Sequence, residues 1–241
     1  MSDVSDKLSK IESAISSACL RAGRARESVQ LIAVSKTFPV DLVRDAFEAG
    51  QLHFGESRLQ EAEPKIDALS GSLHWHYIGR VQRNKVRRLL QKFEVIHAID
   101  SLRLATCVDE IAKELGLFPK VFLQVNLGVE ASKGGFAQDG LHREMEALLK
   151  LERLEIVGLM CIPPVGPDGE SARPWFIALR ELRGELEIEF KVNLPALSMG
   201  MSGDFEIAIE EGATHVRVGS AIFGTRSYQA DDGFTTPGSL P

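Results

Sequence analysis

The stretch Leu31-Ile32-Ala33-Val34-Ser35-Lys36 decides the fold expected of this chain. A continuous apolar run of this length is typical of a strand buried on both faces of a parallel sheet. A longer amphipathic segment, residues 40–49, follows it. The same alternation of short apolar runs and longer amphipathic segments continues along the chain and indicates parallel strands joined by helical crossovers.

Eight strand candidates follow this pattern, at residues 31–35, 52–55, 75–79, 95–99, 121–126, 156–161, 196–199 and 215–219. Helices are predicted between them, for example at 40–49, 84–92, 102–115 and 173–187. The chain has 241 residues, close to the roughly 250 of a single (β/α)8 barrel. The fold class predicted is therefore α/β, a single TIM-type barrel over residues 1–230 with an irregular tail at 231–241. An open doubly wound sheet is the alternative, weakened because no Gly-x-Gly-x-x-Gly follows the first strand.

An extra helix is predicted before the first strand. Its apolar residues recur at spacings of three and four, and Gly23 ends it. Those residues are Leu8, Ile11, Ile15, Ala18 and Cys19.

Composition excludes several classes of protein. The formal net charge of -6 disfavours binding of nucleic acid by the chain as a whole. No apolar run approaches the ~20 residues that span a bilayer, and the first residues lack a signal-peptide pattern, so a cytoplasmic location is expected. Cys19, Cys107 and Cys161 are read as reduced, mostly buried thiols, and Cys161 has no neighbouring base that would activate it.

Lys36 is the first candidate for chemistry, because it follows directly on a predicted strand. Strand carboxyl ends share one face of a parallel barrel, and active sites of this fold lie there. A lysine amine attacks a carbonyl once it loses its proton, which desolvation or a nearby cation promotes. A lysine at this position is also compatible with an ordinary exposed strand end.

The second candidate is an anion site at the last predicted strand. Arg217-Val218-Gly219-Ser220 is preceded by the glycine- and serine-rich residues 198–204, which include Ser202. Glycine lets a backbone approach an anion, and barrels often bind phosphate after strands seven and eight. A site with an amine at one end and a phosphate cradle at the other suits pyridoxal 5'-phosphate, an aldehyde that carries a phosphate.

Other candidates are weaker. His74 and His76 would share one strand face as a metal pair, but no third ligand at a persuasive spacing accompanies them, so core or rim histidines are preferred and no metal site is predicted. The basic segment 80–88 lacks interleaved aromatic residues, so a solvated helical face is preferred over a nucleic-acid site.

The sequence resembles the pyridoxal phosphate homeostasis proteins, single-domain relatives of the alanine racemase barrel, over residues 31–224. The resemblance rests on these motifs: Ala33-Val34-Ser35-Lys36, His53-Phe54-Gly55-Glu56, residues 76–85, Val125-Asn126, Lys133-Gly134-Gly135-Phe136, Gly158-Leu159-Met160, residues 197–202 and Val216-Arg217-Val218-Gly219. One position departs from the family, since Ser57 stands where Phe-Gly-Glu-Asn usually ends in asparagine. A cofactor contact expected from that asparagine is therefore in doubt.

The resemblance implies a set of cofactor-binding residues. Lys36 would form the internal aldimine, the Schiff base with the aldehyde, while Arg217 would face the pyridine nitrogen. Serine and glycine residues would hold the phosphate, and Ile78 and Met199 would be neighbours of the cofactor. The complete set is Lys36, Ile78, Met199, Ser202, Arg217, Gly219 and Ser220.

Two functions remain open from the sequence. The resemblance implies a carrier of pyridoxal 5'-phosphate (PLP) that acts in homeostasis of the vitamin B6 pool and has no efficient catalytic turnover. PLP-dependent apoenzymes would be its further partners. The alternative is an amino-acid racemase of the alanine racemase type, which takes a tyrosine from a separate β-domain. The tyrosines here are Tyr77 and Tyr228, and no such domain is expected after the barrel, so a binding protein is preferred. A monomer is also expected.

Overall fold

The computed structural model describes residues 3–69, 71, 73–128 and 134–224. Within them, strands and helices alternate along the sequence. The strands are β1 (Gln30–Val34), β2 (His53–Glu56), β3 (His74–Tyr77), β4 (Val95–Ile99), β5 (Lys120–Gln124), β6 (Glu155–Met160), β7 (Ala196–Ser198) and β8 (His215–Val218). The helices are α1 (Asp3–Arg21), α2 (Val40–Glu48), α3 (Leu59–Ala68), α4 (Val86–Leu90), α5 (Leu102–Leu115), α6 (Gln138–Leu148), α7 (Arg173–Phe190), α8 (Phe205–Glu210) and α9 (Ser220–Phe223).

The strands form a closed parallel barrel in sequence order. β1 pairs with β8 in a register that runs from Gln30 opposite His215 to Ala33 opposite Val218, and this pairing closes the sheet. The predicted barrel is confirmed and the open sheet is wrong. The predicted strands agree with the observed ones to within a few residues. The tail expected at 231–241 lies outside the described residues.

The extra amino-terminal helix is also confirmed. The buried stripe of α1 packs against α8 and α9. Arg21 at its carboxyl end pairs with Glu206 and Glu210 of α8. Gly23 follows with a φ of +64°, a conformation that glycine adopts without steric cost. The helix therefore covers the last part of the barrel, next to the closing strand.

The barrel interior is divided between an apolar part and a polar part. The apolar part includes a small cluster formed by Val95, Ala98, Phe122, Met160 and Ala196. The polar part consists mainly of histidines, which replace the branched aliphatic residues that usually fill this fold.

Contacts between strands that are not neighbours show that these histidines cross the interior. His97 Nδ1 on β4 lies 2.8 Å from Ser198 Oγ on β7. The His215 ring on β8 meets Phe122 on β5, with 5.1 Å between centroids. His76 is hydrogen-bonded to both His53 and His97, at 3.0 Å each. The predicted core role for His76 is thus confirmed.

Burial keeps the interior histidines neutral. It lowers the pKa of His53 and of His215 to about 4, and electrostatic interactions, with His74 for His53 and with His53 and Arg217 for His215, lower these pKa values further. Burial also lowers the pKa of His76 and His97 well below the usual value. Unfolding exposes these rings to water, where imidazole titrates near pH 6.5.

We predict that the protein loses stability as the pH falls from about 6.5 to about 4, because the unfolded chain binds protons that the folded interior excludes. Stability is fully present above the unfolded pKa. Within this window each such histidine contributes a slope of about 1.4 kcal/mol per pH unit. Urea unfolding at several pH values measures the slope. His215→Asn should reduce it, whereas His142→Gln, at an exposed histidine on α6, should not. An unchanged slope in His215→Asn would contradict this account.

Candidate functional site

A cavity of about 290 Å³ opens at the carboxyl ends of the strands. Its walls combine a lysine, an arginine, two serines, three glycines and five apolar side chains. They are Val34, Lys36, Phe38, Ile78, Ile162, Met201, Ser202, Gly203, Arg217, Gly219, Ser220 and Gly224. These residues come from both ends of the chain, and the closure of β8 onto β1 brings them together.

Lys36 lies in a turn two residues after the end of β1, and its position is fixed through its neighbour Ser35. Ser35 is fully buried, and its hydroxyl donates to Glu56 Oε1 at 2.7 Å. Lys65 Nζ on α3 donates to both the Ser35 carbonyl, at 2.8 Å, and Glu56 Oε1, at 2.7 Å. The backbone before Lys36 is therefore held by a buried ion pair.

The backbone after Lys36 is strained. Thr37 has a φ of +70°, a genuine outlier for a β-branched residue, and such conformations cost of order 1–3 kcal/mol. The Thr37 N–H donates to Glu61 Oε2 on α3 at 3.1 Å, which supports this conformation. Both flanks of Lys36 thus depend on α3, and the amine is presented from a defined turn.

Glu56 is a carboxyl group in a dry environment. Its side chain is completely buried, and Oε2 has no hydrogen-bond partner among the described residues. Burial raises the pKa of Glu56, while Lys65 and the Ser35 hydroxyl act in the opposite direction. Lys65 is therefore required to keep a charged carboxylate at this place.

The opposite wall of the cavity is built for an anion. The N–H groups of Gly219 and Ala221 point at Ser202 Oγ, at 3.2 and 3.5 Å. Because this oxygen accepts two hydrogen bonds, the Ser202 hydroxyl hydrogen is left to donate elsewhere. A Cβ on Gly219 would lie 3.2 Å from the Val34 carbonyl oxygen, so glycine allows β8 to approach β1 closely here.

Arg217 reaches the cavity from β8 and is otherwise buried, with 5% of its surface exposed. It donates to Ser198 Oγ at 2.6 Å and to the Cys161 carbonyl at 3.0 Å. Burial lowers its pKa, but a guanidinium remains charged because its ordinary pKa is above about 12. Burial also raises the pKa of the Cys161 thiol to about 12, which agrees with the prediction of an inert cysteine.

Apolar side chains line the same cavity as the amine and the anion wall. Ile78 follows β3, and a Cβ on Gly55 would lie 3.3 Å from its Cδ1 atom. Gly55 therefore leaves room for the Ile78 side chain beside Val34. The cavity thus brings together an amine, apolar side chains, serine hydroxyls and a guanidinium.

Six of the seven residues predicted to bind a cofactor line this one cavity. The exception is Met199, which is fully buried in the layer between barrel and helices. It alternates with the inward-facing Ser198, so its side chain points outward, away from the cavity. Gly200, with a φ of +94°, then turns the chain so that Met201 lines the cavity instead.

Sequence reasoning missed several residues of the walls. These are Val34, Phe38, Ile162, Met201, Gly203 and Gly224. Val34 is the last residue of β1, and Ile162 lies two residues after β6. The rule that strand carboxyl ends form the site could have identified both.

The remaining candidates lie outside the cavity. His74 bonds Glu94 at 2.8 Å, and no group of three metal-binding side chains occurs among the described residues. Ser57 is not among the cavity residues, and its carbonyl accepts from the Tyr77 hydroxyl at 3.1 Å. In the basic segment, Arg88 pairs with Glu63 on α3 at 2.6 Å, as expected of a solvated face. Of the helices in the described ranges, none has the length and apolar character that a membrane span requires.

Comparisons with known proteins agree on one family. The model of the alanine racemase N-terminal domain matches residues 12–227. The pyridoxal phosphate homeostasis protein of Aquifex aeolicus is 44% identical over 224 residues, which cover 92% of this chain and 98% of that protein. The solved structure of PipY from Synechococcus elongatus with PLP bound has a TM-score of 0.82 and 40% identity, covering 92% of this chain and all of that one.

A more distant comparison shows the fold alone. Alanine racemase of Clostridium difficile 630 has a TM-score of 0.72 at 17% identity. The match covers 95% of this chain but 59% of the racemase. The shared part is thus one region of a longer enzyme chain.

We predict that Lys65→Met destabilises the protein by about 3–5 kcal/mol at neutral pH, because it leaves the Glu56 carboxylate buried without its partner. Relative to the wild type, the loss should shrink as the pH is lowered, since protonation of Glu56 removes the buried charge. Lys92→Met is the matched control. It removes an exposed ion pair to Asp67, which lies on α3 like Lys65, and it should cost under about 1 kcal/mol. Urea unfolding measures both variants, and equal losses would show that the Glu56–Lys65 pair is not structurally important.

Proposed function

The chain belongs to the family of pyridoxal phosphate homeostasis proteins, which share the barrel of the alanine racemase N-terminal domain, and we propose that it binds pyridoxal 5'-phosphate in the rim cavity. Its function is then to hold this cofactor in the homeostasis of the vitamin B6 pool. The observation that carries the proposal is the shared cavity, where an amine, an anion wall and a buried cation meet.

Each wall of the cavity has a role in this proposal. When bound, the cofactor supplies an aldehyde that condenses reversibly with amines. The Lys36 amine is the nucleophile at that end, presented by the strained turn at Thr37. Gly219, Ser220 and the Ser202 hydroxyl bind the phosphate, while Ile78 and Met201 exclude water from the ring faces.

Arg217 favours binding over chemistry at an amino acid. As a permanent cation it opposes protonation of a ring nitrogen that faces it. An unprotonated ring is a weaker electron sink, so negative charge on a substrate carbon is poorly stabilised. We therefore propose that the protein is not an efficient racemase, transaminase or decarboxylase.

The position of Tyr77 also supports this proposal. Its ring packs edge-on against Phe93, with centroids 5.1 Å apart, and lies among the residues between barrel and helices. Its hydroxyl donates to backbone carbonyls, and burial raises its pKa. Tyr77 is thus unsuited to deliver a proton to a ligand in the cavity. Tyr228 lies outside the described residues. Transfer to PLP-dependent apoenzymes and the monomeric state stay predictions from the sequence.

We predict that borohydride reduction of the loaded protein fixes the cofactor on Lys36. Reduction converts the carbon–nitrogen link into a stable secondary amine, which peptide mass mapping can locate. Lys36→Ala should abolish the adduct, and Lys92→Ala, at an exposed lysine, should not. An adduct on Lys85 or Lys133, or no adduct in a loaded sample, would overturn the assignment.

We predict that the loaded protein does not catalyse rapid exchange at the α-carbon of amino acids. Incubation with alanine and other amino acids in heavy water, followed by mass spectrometry and chiral analysis, measures deuterium uptake and inversion. A well-studied alanine racemase serves as the positive control. Many rapid turnovers with inversion would show that the protein is an enzyme instead.

A further inference from the structure

Arg217 is a buried cation whose hydrogen-bond partners in the described structure are uncharged. It donates to the Ser198 hydroxyl and to the Cys161 carbonyl, and no carboxylate among the described residues forms an ion pair with it. A charge removed from water is costly unless other groups compensate for it. Asp204 acts on Arg217 electrostatically without an ion-pair contact, and the hydrogen bonds of Arg217 add the compensation of dipoles.

Ser198 is the first member of a continuous hydrogen-bonded chain. Its Oγ lies 2.8 Å from His97 Nδ1. His97 Nε2 lies 3.0 Å from His76 Nδ1, and His76 Nε2 lies 3.0 Å from His53 Nδ1. His53 is the first residue of β2, so the chain runs from the cavity wall to the amino-terminal mouth of the barrel. We call these four residues, Ser198, His97, His76 and His53, the histidine chain.

Arg217 fixes the direction of every hydrogen bond in this chain. A guanidinium only donates, so Ser198 Oγ accepts from Arg217. Its other side-chain partner in the described structure is His97 Nδ1. If that nitrogen also donated, the hydrogen of the buried hydroxyl would have no acceptor among these partners, so the hydroxyl donates to His97 Nδ1. Because burial keeps His97 neutral, its one hydrogen is on Nε2 and is donated to His76 Nδ1. The same reasoning places the hydrogen of His76 on Nε2, facing His53 Nδ1.

This order aligns the imidazole dipoles. Each ring turns its acceptor nitrogen toward Arg217 and its N–H toward the opposite mouth. Aligned hydrogen bonds polarise one another, so the Ser198 oxygen becomes a better acceptor for the guanidinium. The His97 ring is stacked on Phe122, with centroids 4.4 Å apart, which fixes its plane.

We propose that the histidine chain positions Arg217 at the cavity and helps to solvate its charge with aligned dipoles, so that a ring nitrogen of the ligand meets a guanidinium that forms no ion pair in the described structure. Ser198 and the three histidines are positioning residues, because they act through Arg217. The identity of the ligand rests on the function proposed above. The direction of the hydrogen bonds in the histidine chain does not rest on that function, since it follows from the protein's own residues.

The order of the chain can be tested without ligand. Nitrogen-15 NMR of histidine-labelled protein distinguishes Nδ1–H from Nε2–H tautomers. We expect His97, His76 and His53 all to be Nε2–H at neutral pH. A mixture of tautomers, or Nδ1–H at His97, would overturn the proposal. This measurement needs no variant, so the proposal remains testable even if a substitution prevents folding.

Ser198→Ala tests the effect on Arg217. Ser198→Ala removes the hydroxyl that links Arg217 to His97, so Arg217 no longer fixes the direction of the hydrogen bonds in the histidine chain. The tautomer of His76, which Ser198 does not touch, should therefore change. The matched control is Thr214→Val, which removes a hydroxyl that lies 2.8 Å from His215 Nδ1 in the same barrel. The control should leave the tautomers of His97, His76 and His53 unchanged.

Binding is then compared between pyridoxal phosphate and its 1-deaza analogue, in which a carbon replaces the ring nitrogen. The wild type should prefer pyridoxal phosphate by about tenfold, equivalent to one modest hydrogen bond. Ser198→Ala should lose most of this preference and Thr214→Val should keep it. Unchanged tautomers and an unchanged preference in Ser198→Ala would overturn the proposal. If the wild type binds neither ligand, the proposed function fails, while the tautomer result still decides the order of the chain.

Discussion

The site depends on the pairing of the first strand with the last. β1 and β8 close the barrel, and this pairing places the turn of Lys36 beside the backbone of Gly219. Contact at this seam is tight, since a Cβ on Gly219 would meet the Val34 carbonyl at 3.2 Å. An open sheet with the same strands would leave the amine and the anion wall at opposite edges. Closure therefore creates the cavity as well as the fold.

Closure also imposes a condition on the interior. A closed barrel has no free edge, and polar groups inside it must find partners within the protein. This chain places an arginine and several histidines there. They are accommodated because each imidazole both donates and accepts one hydrogen bond, so rings can be joined in series. Carboxylates are absent from the series, and the remaining interior is filled by the apolar cluster around Phe122.

Much of the fold and of the site could be predicted from local pattern. Apolar runs located the strands, and their parallel order placed Lys36, Ser202 and Gly219 at one rim. Met199, predicted as a cofactor neighbour, is not among the cavity residues, and the positive φ of Gly200 that brings Met201 to the cavity is not visible in a sequence. The histidine chain was missed for a related reason. His97 and Ser198 are 101 residues apart, and only the diameter and register of the barrel decide that they meet.

The two faces of β1 serve different purposes. Ile32 and Val34 face the interior and the cavity, whereas Ser35, the residue after β1, turns toward α3 and the Glu56–Lys65 pair. The groups that fix the Lys36 turn therefore lie outside the barrel, and those that fix Arg217 lie inside it. Because the two networks share no residue, the amine and the cation are held independently. A ligand that contacts both the amine and the cation is positioned by two separate hydrogen-bond networks, which limit its motion. Positioning of this kind requires no acid on either face of a reacting carbon. This arrangement suits retention of a cofactor better than repeated proton transfer to a substrate.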